Sequence, residues 1–202
     1  MPIVAGRDID ELMTAFAQEL RLRDSAVVEL CVIGGAALGV LGLASRPTKD
    51  IDVVSLAETK GGIIQLVDAR PLPASIVAAI AEISSQFGIE ANWLNINIGP
   101  AGLVDWGLPD GFESRLVAKS YGELLIVHFA GRVDQMCFKT YAAADVAGRH
   151  LTDLMALAPS ADEMDFAFRW VVEQDSSVAF RSQLEGLADY LEVWDVLDRV
   201  PR

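Results

Sequence analysis

The sequence predicts an α+β protein: a small mixed sheet flanked by helices, followed by a C-terminal helical extension. Three observations predict it. Apolar residues recur at helical spacing near the N-terminus, short β-branched or alternating runs fill the middle, and the pattern is helical from about residue 131 onward. A chain of 202 residues suits one domain with an appendage. A boundary near residue 130 separates an α/β core (1–130) from a helical subdomain (131–202), the two read as one folding unit.

Ile9, Leu12, Met13, Phe16 and Leu20 place an amphipathic helix over 8–22. The apolar run Val27 to Ile33 reads as a strand ending at Gly34-Gly35, and the small residues Ala36 to Leu43 as a short helix. Asp50 to Val54 alternates polar and apolar, so it suits a second strand with Ile51, Val53 and Val54 as core anchors. Residues 55–72 contain Gly61-Gly62 and Pro71 and read as loop or a short strand. A helix is expected from Pro73 to Phe87, with Ile76, Ile80 and Ile83 on one face and Gly88 as its stop. Ala91 to Ile98 reads as a strand and 99–112 as loop. Phe112 to Lys119 and Glu123 to Phe129 predict a hairpin around Tyr121-Gly122. Helices follow near 131–146, 149–157, 161–174 and 178–198, and Ser160 with Glu163 fits a capping box.

The formal net charge is −13, from 16 Lys+Arg against 29 Asp+Glu. Phosphate binding draws on Lys and Arg, so this balance argues against a general nucleic-acid coating protein. The segment Ala161 to Arg202 holds ten acids against four arginines, whereas Arg46, Lys49, Lys139 and Arg149 fall in or near the motifs described below. The acidity therefore belongs largely to the helical tail and the solvated faces. The apolar fraction of 52% is ample for a core and argues against disorder. Cys31 and Cys137 match no metal spacing and read as buried free thiols of a reducing compartment. The start, MPIVAGRDIDEL, lacks a basic n-region followed by an apolar h-region. The longest uncharged stretch, Leu30 to Ser45, is shorter than the ~20 residues a spanning helix needs. A cytoplasmic protein with no membrane partner is expected.

The chemistry-bearing stretch is Val32-Ile33-Gly34-Gly35-Ala36-Ala37-Leu38, then Arg46-Pro47-Thr48-Lys49-Asp50-Ile51-Asp52. Asp50 and Asp52 are two apart in a strand, so both carboxylates point the same way. Like charges on one face repel and call for a cation or solvent. Mg²⁺ takes oxygen ligands, often one or two carboxylates plus substrate phosphates. Glycines at a strand end let the backbone approach a ligand, and helix N-terminal amides attract phosphate. Alone, each motif has a plainer reading: a solvated strand end for Asp-x-Asp, a turn for Gly-Gly. Their ordered combination points to phosphoryl or nucleotidyl transfer. No GxxxxGK[ST] and no GxGxxG is present.

These residues resemble the signature of the minimal nucleotidyltransferase superfamily, with its DNA polymerase beta-like fold. That signature is a Gly-Gly or Gly-Ser, a short helix, then Asp-x-Asp on the next strand. Within it, the chain is similar to the bacterial branch near the AbiEii-type toxins of toxin–antitoxin systems. The similarity runs from about residue 30 to 190 and takes in Trp93-Leu94-Asn95, Gly111-Phe112-Glu113, Arg115-Leu116, Lys139-x-x-Ala142, Arg149-His150 and Asp153-Leu154. The resemblance implies a nucleotidyltransferase-type sheet. It also implies that Gly34 and Gly35 contact nucleotide phosphates, with Arg46, Thr48 and Lys49 nearby, and that Asp50 and Asp52 bind catalytic Mg²⁺. Lys139 resembles a triphosphate-contacting lysine, and Asp153 an acidic residue that completes the site. The chain departs from the pattern where many active members supply a third carboxylate, because the strand expected there offers Asn95 and Asn97. His150 stands where related toxins commonly have an acid.

The expected function is transfer of a nucleoside monophosphate from an NTP to a hydroxyl acceptor on a tRNA, a protein or a small molecule. Such a chain could be the toxin-like component of a toxin–antitoxin system, restrained by an antitoxin protein. The alternative is a catalytically impaired nucleotide-binding or partner-binding module of the same fold. Elsewhere, His128 reads as a buried structural histidine and Trp93 as core. Trp170, Val171 and Trp194 sit at helical packing spacing. Leu184, Leu187, Leu191 and Trp194 form a stripe that reads as core or a partner surface.

Overall fold

The computed structural model describes residues 7–45, 47–68, 71–96 and 107–200. The chain divides into two compact units, Met1–Gly131 and Arg132–Arg202. Its class is α+β, with eight helices and a mixed six-stranded sheet among the described residues.

The first unit opens with α1 (Arg7–Leu22). Its stripe of Ile9, Leu12, Met13, Phe16 and Leu20 is buried, as the spacing predicts. Strand β1 (Val28–Ile33) runs directly into helix α2 (Gly34–Val40), which starts at the glycines rather than after them. Strand β2 (Ile51–Lys60) is twice the expected length. It turns through Gly61 and Gly62, both at positive φ, into β3 (Ile63–Val67), where the sequence left loop or a short strand. Helix α3 (Ala74–Phe87) buries Ile76, Ile80 and Ile83 and stops at Gly88 in the left-handed region. Strand β4 is only Leu94–Asn95. Asn97 lies outside the described residues. Phe112–Arg115 is a 3₁₀ turn rather than strand, so the hairpin is shorter than expected: β5 (Val117–Tyr121) and β6 (Leu125–Phe129).

The sheet order is β3-β2-β1-β6-β5, with β4 on β2. Strand β1 is parallel to β6 and antiparallel to β2. Because β1 occupies one edge of β2 at Asp52, β4, which is parallel to β2 there, takes the other edge. One sheet face carries Val28, Leu30, Val32, Ile51, Val53, Leu125, Val127 and Phe129 into a single apolar core with α1, α2 and α3. The pairing of β1 with β2 steps from Val32↔Val53 to Cys31↔Ser55. Val54 is therefore a bulge residue and only half-buried, not the core anchor its apolar side chain suggests. Trp93 is fully buried. It meets Phe16 edge-to-face at 5.8 Å and donates Nε1–H to the Ile80 carbonyl at 3.0 Å, so its polar tip is satisfied inside the core. Lys119 and Tyr121 of β5 both bind Asp10 of α1, the lysine at 2.7 Å and the phenol at 2.5 Å. Burial, reinforced by Asp10, pushes the Tyr121 phenol well above its ordinary pKa.

The second unit is helical: α4 (Arg132–Asp145), α5 (Ala147–Leu157), α6 (Ala161–Gln174), α7 (Val178–Tyr190) and α8 (Trp194–Leu197). The capping box is present, with Ser160 accepting from the Glu163 amide and Glu163 from the Ser160 amide. Ser177 caps α7 with a single bond, its hydroxyl oxygen accepting from the Phe180 amide. Phe138, Tyr141, Trp170 and Phe180 interlock, with ring centroids 4.9–6.4 Å apart. The expected last helix breaks after Tyr190, where Glu192 takes φ +57. The break leaves Trp194 42% exposed and outside the core the spacing assigned it. Both cysteines are buried thiols outside any disulfide. Among the described residues no helix is long and apolar enough to cross a membrane.

Candidate functional site

The antiparallel register sets Ile33 opposite Asp52, which brings the next residue, Gly34, beside the Asp52 side chain. Gly34 has φ +73, a backbone that L side chains rarely adopt. A Cβ at this position would lie 2.8 Å from Asp52 Oδ2. Glycine is thus demanded twice, by conformation and by the carboxylate next to it. Gly35 is buried within α2. Because α2 has only seven residues, the missing side chain of Gly34, not a helix dipole, defines this end of the sheet.

On the other edge of β2, Asp52 pairs in register with Asn95 of β4. Asn95 Nδ2 donates to Asp52 Oδ1 in a long hydrogen bond of 3.4 Å. The buried Trp93 anchors this strand, and its carbonyl accepts from the Ile51 amide at 2.7 Å. Asp50 lies one residue before β2. Ile51 and Val53 are fully buried while Asp50 and Asp52 are half-buried, the alternation of burial that the sequence predicts. Thr48 is buried and donates Oγ1–H to the Asp50 carbonyl at 3.0 Å, which fixes the approach to the strand. Lys49 is exposed. Arg46 lies outside the described residues.

Lys139 and Asp153 meet inside the second unit. The ammonium lies 2.8 Å from Asp153 Oδ2, and both side chains are almost completely buried, so the pair ties α4 to α5. An ion pair buried this deeply stands only with close geometry, because each charge has lost its hydration.

The sequence reading missed one cluster. Glu29 of β1 accepts from the Thr59 amide at 3.1 Å and from Thr59 Oγ1 at 2.6 Å. On its other side it meets His128 Nε2 at 2.7 Å. His128 is buried, as its apolar strand predicts. Burial, the largest influence on Glu29, pushes its carboxyl up; the hydrogen bonds from Thr59 and His128 outweigh it and hold the group below the ordinary carboxylate range. The available signal was Glu29 itself, one acid inside the run Val27 to Ile33.

Among the described residues no three His, Cys, Asp or Glu side chains gather into a group able to hold a metal. No family model, no curated protein and no solved structure matches this chain.

Proposed function

We propose that the first unit binds a nucleoside triphosphate with Mg²⁺ and transfers its nucleoside monophosphate to a hydroxyl acceptor. The observation that carries this reading is the placement of Gly34 against Asp52, where a Cβ would lie 2.8 Å from the carboxylate. The backbone at the start of α2 thus comes close to an acid that lies two residues from a second acid, Asp50. That donor set fits Mg²⁺, which commonly takes one or two carboxylates and fills its remaining positions with water and substrate phosphate. The ion, when bound, would neutralise charge building at the α-phosphate. In this reading Asp50 and Asp52 are the metal ligands. Gly34 and Gly35 would contact the phosphates through their backbone, and Thr48 and Lys49 lie on the approach to β2. The acceptor oxygen forms its bond to the α-phosphorus as the bond to pyrophosphate breaks. The roles given above to Arg46, Lys139 and Asp153 rest on the resemblance alone.

The acceptor class stays open among a tRNA, a protein and a small molecule. The charge of −13 favours the latter two. A toxin-like role under an antitoxin partner is compatible with this chemistry, and growth arrest on expression that disappears in Asp50→Ala would support it.

One observation favours a second reading. The group beside Asp52 on β4 is the Asn95 amide, not a third carboxylate. That favours a module which binds nucleotide without turnover. Incubation with labelled NTPs, Mg²⁺ and cell extract tests the first reading against the double variant Asp50→Ala/Asp52→Ala. Label transfer by the native chain alone supports it, and equal label in both counts against it. Calorimetry with each NTP separates the second reading: heat of binding without transfer supports the module, and no heat removes both.

A further inference from the structure

We propose that Thr48 is a positioning residue that fixes the backbone carrying Asp50, rather than a contact to the nucleotide. The inference rests on the reading of Asp50 as a metal ligand and deepens it. The two acids are held by different means. Asp52 lies inside β2, where register with Ile33 of β1 and Asn95 of β4 sets its backbone from both edges. Asp50 lies one residue before β2 and, among the described residues, belongs to none of the strand's register pairs. Two hydrogen bonds hold the backbone there instead. On one side the Ile51 amide donates to the Trp93 carbonyl at 2.7 Å. On the other the Thr48 hydroxyl donates to the carbonyl of Asp50 itself at 3.0 Å. This is a local bond from a side chain to the backbone two residues on.

The same bond decides against a nucleotide contact. A threonine hydroxyl has one proton to donate, and phosphate oxygens are acceptors that need a donor. In Thr48 that proton already goes to Asp50, and the residue is buried. Lys49, the residue the bond spans, is exposed. Metal binding responds to groups that orient its ligands even where they never touch the ion. Register therefore sets Asp52, and one hydroxyl sets Asp50.

The test is titration of the full chain with Mn²⁺, alone and with a non-hydrolysable NTP, read by electron paramagnetic resonance. Mn²⁺ stands in for Mg²⁺ because both favour octahedral oxygen coordination. Thr48→Val replaces the hydroxyl by a methyl group and is expected to bind Mn²⁺ about tenfold more weakly, whereas Thr48→Ser keeps the hydroxyl and is expected to restore the affinity. If valine and serine variants both bind as the native chain does, the positioning role is overturned and the metal site stands. If both bind equally weakly, the residue only fills space and the role is overturned. If Thr48→Val keeps native Mn²⁺ affinity but binds nucleotide more weakly by calorimetry in the presence of a chelator, Thr48 is a nucleotide contact and the role is overturned. If the native chain and Asp50→Asn bind Mn²⁺ identically, or the native chain binds none in either condition, the metal reading of Asp50 falls and takes this role with it. Should Thr48→Val not fold, Thr48→Ala against Thr48→Ser, which differ by the hydroxyl alone, decides.

Discussion

Strands β1 and β2 carry two acids on one sheet face, Glu29 toward one end and Asp52 toward the other, and their surroundings differ. Glu29 is met by the Thr59 amide, the Thr59 hydroxyl and the His128 ring, all within 3.1 Å. Asp52 takes a long hydrogen bond from the Asn95 amide at 3.4 Å and packs against the Gly34 backbone, in the place a side chain there would fill. The first acid is locked by short hydrogen bonds drawn from the strands on either side. The second is set by strand register and by close packing on a glycine. Burial differs less between the two than the way the fold holds them.

Removing one partner of the locked kind should cost the most. Asp153→Ala takes the paired carboxylate away from a buried lysine, and a loss of about 3–5 kcal/mol in denaturant unfolding is expected. A change below about 1 kcal/mol would show that the pair is solvated instead. Asp52→Ala should do the reverse. We expect transfer activity to fall at least about 100-fold, since several kcal/mol of metal-linked stabilisation is lost, with the melting temperature unchanged. If the melt drops instead, Asp52 belongs with Glu29.

Smaller effects sharpen the contrast. Glu29→Ala removes the carboxylate that Thr59 and His128 bind and is expected to cost about 1–3 kcal/mol of stability without altering nucleotide binding. Gly34→Ala forces an L side chain into the left-handed region and against Asp52, at a cost of about 1–2 kcal/mol from the backbone alone. It should also weaken nucleotide binding measured by calorimetry. The smallest effect is in pH dependence. The folded-state pKa of Glu29 lies below its ordinary value of 4.5. Its contribution is therefore full above about 4.5 and is lost as pH falls through the lowered value. Glu29→Gln should flatten the stability profile in that acidic window and leave it unchanged near neutrality.

Much of this was legible in the sequence, for a physical reason in each case. The stripe from Ile9 to Leu20, the face of α3 and the Ser160–Glu163 box depend on local spacing, and local spacing is what a sequence displays. The half-burial of Asp50 and Asp52 beside the buried Ile51 and Val53 follows the predicted alternation. The failures depend on partners distant in the chain. Strand β2 continues through Ser55 to Lys60 because β1 and β3 pair with it, not because of its own pattern. Strand β4 shows, among the described residues, only the two pairs Ile51↔Leu94 and Asp52↔Asn95, and such pairing depends on residues some forty positions away. Phe112 looked like strand but fills a fully buried position on a 3₁₀ turn. Trp194 kept the helical spacing of a core residue, yet Glu192 turns the chain before it. Lys139 and Asp153 were paired by the resemblance as parts of a site, while spacing alone gave no hint that they would bind each other.

The bulge at Val54 has a consequence for how this stretch can change in length. In an uninterrupted strand, residues 52 and 56 would share a face, and Leu56 packs against the core. The extra residue shifts the phase, so Asp52 leaves on the face of Thr59 and Glu29 instead. Deleting Val54 would restore regular alternation and still leave Asp52 on that face, because the two halves of the strand are already in phase with their own partners. A one-residue deletion here is thus silent for the carboxylate, whereas replacing the bulge by regular pairing with Val54 retained would turn Asp52 into the apolar layer. Position 54 acts as a spacer that accommodates a change of length without moving the site.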